Sequence, residues 1–128
     1  MTIFFIVGRI LFGGYFLYSG YKHLANGKSY AGYAKSKNVP MPEIAVPVTG
    51  IMLVLGGAGV ILGIAPTLSI ALLLIFMIPT TLMMHQFWMI KDMGMRMGEH
   101  VNFMKNLAII GALLMMLALP QPWMSSFY

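Results

Sequence analysis

Cysteine is missing from all 128 residues. That excludes disulfides, thiolate-bound metals and cysteine nucleophiles. Acidic residues are scarce as well: Glu43, Asp92 and Glu99 are the complete set. Charged residues of both signs make up 9% of the chain, against about 25% in soluble proteins. There is no internal repeat of about 20–50 residues. Nor is there a three-histidine zinc pattern, a nucleophile triad, a phosphate-binding glycine loop or a haem-attachment motif. With a mean hydropathy of +0.84, a soluble domain of this size could not cover its apolar surface. In lipid each helix satisfies its own backbone polar groups, and the same surface becomes an asset.

What the chain does have is four apolar stretches, Ile3–Leu24, Ile44–Gly63, Thr67–Ile90 and Asn102–Leu119. A helix crossing a hydrocarbon core of about 30 Å needs about 20 mostly apolar residues. The first three stretches meet that length and the fourth is a little short. The expected fold is all-α: a four-helix transmembrane bundle forming one domain over residues 1–128. The connection Ala25–Glu43 is longer than a tight turn needs. Its segment Ser29–Lys35 puts tyrosines on one helical face and lysines on another, which predicts a short interfacial helix between the first and second spans. Glu43 and Pro47 suit the start of the second span, and Pro66 or Thr67 the start of the third. Pro79 lies inside the third span and frees the Ile75 carbonyl, with Thr80 and Thr81 able to re-satisfy the backbone.

The cations set a topology. Lys22, Lys28, Lys35, Lys37, Lys91, Arg96 and Lys105 all fall in or beside the first and third connections. The second connection and the C-terminal segment carry none. The positive-inside rule then predicts cytoplasmic basic loops and periplasmic termini in a bacterial inner membrane. The formal net charge of +5 follows from this bias and is no nucleic-acid footprint. Trp88 near the inner end, and Trp123 and Tyr128 near the outer end, fit aromatic belts. Met1–Gly8 carries no side-chain charge and no small-residue cleavage site follows, so the first apolar stretch is expected to be a retained helix.

Glycines are plentiful on the first two spans. Gly13 and Gly20, with Gly56, Gly59 and Gly63, allow close helix approach, within the bundle or in a homo-oligomer. Ionisable residues inside spans are candidate functional groups, because their placement there is costly. Arg9 lies about 9 Å below the outer end of the first span, far from the three acids. It either caps helix carbonyls or reaches headgroups, or it holds an anionic or carbonyl ligand. A second group gathers at the inner side: His85, Trp88, Asn102, Lys105 and Asn106, with Lys22 and His23 closing the first span at the same level and Asp92 and Glu99 flanking the third connection. A histidine, a lysine and two amides at one depth can bind a quinone headgroup, or form an interhelical hydrogen-bond network. Met93, Met95 and Met97 with His100 have an alternating spacing that suits Cu(I) through thioethers. Methionine is also a common apolar filler, and the loop is expected to be cytoplasmic.

Gly8-Arg9-Ile10-Leu11-Phe12, Ser19-Gly20-Tyr21-Lys22 and the run from Tyr30 to Pro40 resemble the DoxX family of small bacterial membrane proteins. So do His85-Gln86-Phe87-Trp88 and the segment Phe103–Ala108 with Gly111. The resemblance implies a four-helix inner-membrane bundle associated with respiratory or redox complexes. On that footing the chain is expected to be an accessory subunit with no redox centre of its own, contributing to a quinone site beside partner subunits. The alternatives are a structural or assembly protein without ligand, and a methionine-based Cu(I) protein. A reporter enzyme fused after Tyr128 is expected to be active only outside the cytoplasm; activity inside would reverse the topology.

Overall fold

The computed structural model describes residues 2–85 and 87–123. Among these residues the order is α1 (Thr2–Ala25), α2 (Gly27–Ser36), α3 (Pro42–Leu62), α4 (Pro66–Met84), a 3₁₀ turn (Phe87–Met89) and α5 (Met93–Leu117). Four of the helices are long and apolar enough to cross a membrane. The fold is all-α, with a short helix where Ser29–Lys35 predicts one. Tyr128 and Gln86 lie outside the described residues.

Two boundaries differ from the hydropathy reading. The α-helix of the third span stops at Met84, although the apolar span itself runs on to Met89, one residue short of the expected Ile90. His85 leaves helical geometry at φ −122° and ψ 48°, and the chain passes through the short 3₁₀ turn. The last helix starts at Met93, nine residues before Asn102. Asp92 caps it, accepting from the Met95 amide at 2.9 Å, which satisfies one of the free first-turn donors. Hydropathy misses this extension because Arg96, Glu99 and His100 are polar, while capping and propensity still favour helix there.

Small residues set the packing. α1 lies against α3 at two points. A β-carbon on Gly13 would sit 2.6 Å from the Gly57 carbonyl oxygen, and one on Gly20 would sit 2.7 Å from that of Gly50. On the opposite side of α3, Gly56 accommodates Leu73 of α4 and Gly59 accommodates Ser69. Gly63 plays a different part from the other glycines of its helix. It ends α3 in the left-handed region at φ 71°, and its amide bonds the Gly59 carbonyl, a turn that glycine makes without steric cost. Around these contacts Phe16, Leu53, Val60, Ile70, Leu73, Met77 and Leu113 form the core, with Trp123 at one end. Large apolar side chains such as Phe4, Leu11, Leu68 and Met115 face outward, as a lipid-facing exterior requires.

Pro47 falls inside α3, not at its start, because the helix begins at Pro42. The Thr49 hydroxyl bonds the nearby Ala45 and Val46 carbonyls at 2.7 and 3.0 Å. α4 continues through Pro79. The Thr81 hydroxyl, expected to help the backbone there, is buried without a hydrogen-bond partner among the described residues.

Arg9 is buried, at 3% exposure. Its Nε donates to the Val60 carbonyl at 3.1 Å and a terminal nitrogen donates to that of Ile61 at 2.9 Å. These belong to the last turn of α3, whose carbonyls have no partner within their own helix. The guanidinium also lies 5.3 Å from the Phe5 ring and 5.8 Å from that of Trp123, so one cation joins α1, the end of α3 and the segment after α5. Arg9→Ala should destabilise the bundle by about 3 kcal/mol, from two charge-assisted bonds lost and two carbonyls left unpaired. Thermal unfolding in mild detergent measures this; an unchanged midpoint would show that the cap contributes nothing.

Candidate functional site

A cavity of about 670 Å³ opens between α2, α3 and α4. Its size falls within the range of small-molecule sites, about 300–1,000 Å³. The geometry of the glycine contacts explains its position. α1 and α3 touch backbone to backbone, whereas α3 and α4 carry Ala45, Val46 and Thr80 on the cavity walls. Met52, Ile75, Phe76, Met83 and Met84 of the same two helices complete these walls. α2 closes one side with Tyr30, Tyr33 and Ala34. The walls are apolar except for a few groups, among them His23 at the end of α1, Thr49 on α3 and His85 just past α4.

His23 is held in place. Its Nδ1 lies 2.7 Å from the Ser19 carbonyl oxygen, and its ring meets Tyr30 and Phe76 edge-on at 4.7 and 5.7 Å. His85 turns toward α5, its Nδ1 a long 3.4 Å from Glu99 Oε1. Glu99 also accepts from Lys37 Nζ at 3.2 Å and from Asn102 Nδ2 at 3.0 Å. The Glu99 side chain is only 13% exposed. One carboxylate thus joins the end of α2, the end of α4 and the second turn of α5. The fold makes this possible because α5 begins early: nine residues of extra helix carry Glu99 back to His85.

The remaining residues singled out from the sequence are placed elsewhere. Arg9 lies beside the C-terminal end of α3, whereas the cavity wall is built from the other end of that helix. Lys22 sits by the Tyr18 ring at 5.9 Å. Trp88 is half-exposed against Phe87 and Phe103. Lys105 lines a separate cleft between α1 and α5 with Phe12 and Tyr15. Asn106 follows it on α5 and is not among the residues of either cleft. Of the inner-side group, His85 and Asn102 are brought together, through Glu99.

Lys37 and Thr49 are site residues that sequence reasoning left out, and it placed His23 and Glu99 only at the level of the inner-side group. The signal for His23 was its position at the end of a span, four residues after Ser19. Glu99 gave little signal, since its partner Lys37 is 62 positions away. The methionine motif is not a loop but the first turns of α5. At helical spacing Met93 and Met97 share a face and Met95 points away from them, while His100 stacks on Phe87 at 4.5 Å. Among the described residues no three His, Asp or Glu side chains gather as a metal-ligand set.

The family model for DoxX matches residues 4–86. The chain belongs to the DoxX family. No curated protein and no solved structure matches it. The four long apolar helices and the family together make it a multi-pass membrane protein. The DoxX match spans α1 to α4 and stops beside His85, so the cavity walls lie within it. Glu99 and Asn102 lie beyond it, and the match does not reach the segment Phe103–Gly111, where a resemblance to the family was also expected.

The tie through Glu99 can be tested by proteolysis, because Lys35 and Lys37 are tryptic sites. Glu99→Gln should speed cleavage there about fivefold, the ratio for about 1 kcal/mol of lost stabilisation of α2. Glu43→Gln should leave the rate unchanged. Equal rates in both variants would show that α2 is held by its other contacts alone.

Proposed function

We propose that this DoxX-family protein is an accessory subunit of a respiratory or redox complex of the bacterial inner membrane, and that its cavity holds a quinone-class lipid. The observation that carries the reading is the cavity itself: about 670 Å³ of mostly apolar space with two histidines on its wall. Apolar walls suit a prenyl chain. A few fixed polar groups suit a ring bearing oxygens. The chain has no cysteine, and so no thiolate to hold an iron–sulfur cluster or copper. In this reading electron transfer belongs to a partner subunit.

The basic end of the bundle then faces the cytoplasm and the ends of the chain face the periplasm, in line with the clustering of Lys22, Lys28, Lys35, Lys37, Lys91 and Arg96. The cavity sits at the basic end, near the level where a quinone ring meets the interface. The alternative, a purely structural protein that binds partners through its glycine faces, draws less support. Gly13, Gly20, Gly50 and Gly57 face one another inside the chain, so they offer no free surface to a partner helix.

Purification in mild detergent, followed by lipid extraction and mass spectrometry, tests the reading. Isoprenoid quinone should be enriched over bulk lipid, and Thr80→Trp, which fills the cavity, should abolish the enrichment. Absence of quinone from the wild-type protein would overturn the ligand. Recovery of the chain without any dehydrogenase or oxidase subunit would overturn the accessory role.

A further inference from the structure

We infer that the cavity selects a ligand whose polar end donates hydrogen bonds: a hydroquinone, or another amphiphile ending in a hydroxyl, in preference to the matching ketone or ether. This rests on the quinone-class reading above and adds the bonding sense, and hence the oxidation state, of the head group.

The hydrogen bonds around the cavity carry the argument. His23 Nδ1 is 2.7 Å from the Ser19 carbonyl oxygen. A carbonyl can only accept, so Nδ1 holds the hydrogen. In a neutral imidazole the other nitrogen, Nε2, is then an acceptor. Turning the ring over to present a donor would break the Ser19 bond and disturb the edge contacts with Tyr30 and Phe76. His85 repeats the pattern. Its Nδ1 faces Glu99, which also accepts from Lys37 and Asn102. A carboxylate with three donors around it is itself an acceptor, so in a neutral His85 imidazole Nδ1 holds the hydrogen and Nε2 accepts. Thr49 points the same way, since its hydroxyl hydrogen is directed at the Ala45 and Val46 carbonyls, leaving lone pairs.

With both imidazoles neutral, three polar groups of fixed sense therefore line this space, all as acceptors. The tyrosine, serine and remaining threonine hydroxyls on the walls can turn either way, so they accommodate a ligand without choosing it. A hydroxyl supplies the hydrogen that the histidines lack. A ketone or ether set against them finds a donor only in the turning hydroxyls and leaves the ring nitrogens unpaired in an apolar space, which lowers its affinity.

The test uses the full-length protein in detergent, under anaerobic conditions, with two pairs of probes. One pair is a decyl-substituted benzoquinone and its hydroquinone. The other is redox-inert: 4-decylphenol and its methyl ether. Affinities come from titration calorimetry at a fixed micelle concentration. The hydroquinone should bind about tenfold tighter than the quinone and the phenol about tenfold tighter than the ether, a ratio worth one net hydrogen bond. His23→Phe and His85→Phe should each bring both ratios toward one. The wild-type comparison decides the matter even if a variant fails to fold. A preference in the phenol pair alone would support a hydroxyl-ended lipid other than hydroquinone. Equal affinities, or tighter binding of quinone and ether, would overturn the inference and leave the cavity as a ligand site. Binding of none of the four would overturn the quinone-class reading, and this inference with it.

Discussion

Two helix backbones in contact set the geometry of this protein. Where α1 crosses α3, Gly13 and Gly20 meet Gly57 and Gly50 so closely that no β-carbon would fit. In lipid there is little hydrophobic drive for helices to associate, and close van der Waals packing takes its place. Once α1 and α3 are fixed, the rest of the bundle is constrained. α4 returns along the other side of α3, seated on Gly56 and Gly59, after a tight turn that Gly63 and Pro66 permit.

That tight seam has a second requirement at its far end. The last carbonyls of α3 would be unpaired in an apolar environment, where each unsatisfied group costs several kcal/mol. Arg9 meets it from the neighbouring helix, and its charge rests among Phe5 and Trp123. The residue that looked most like a ligand site in the sequence is thereby tied into the architecture. The cation that joins the helices at the other end is Lys37, which works together with a carboxylate.

The contrast between the two ends gives the cavity its character. Near Arg9 the end of α3 is closed by hydrogen bonds and aromatic rings. Near the basic end the helices part, α2 lies against the opening, and Glu99 links α2 to His85 and α5. Polar bonds there add to the packing of Ala34 and Val46 and to the ring contacts of His23. In their neutral forms the two histidines on the cavity wall direct their ring hydrogens at protein acceptors.

The sequence by itself determined the class of the protein. Four apolar stretches, the want of charge and the one-sided cations dictate membrane helices, because those are properties of composition along the chain. The helix after the first span was legible too, from the spacing of tyrosines and lysines between Ser29 and Lys35. The start of α5 was readable only through the Asp92 cap, since a hydropathy window discards a polar first turn. What only the tertiary structure decided was pairing. Nothing in the order of residues says that Arg9 reaches Val60 and Ile61, that Lys37 meets Glu99, or that His23 and His85 share one cavity. Such contacts depend on how the helices cross and at what depth, and side chains 50 or 60 positions apart become neighbours only after the glycine seam has fixed those crossings.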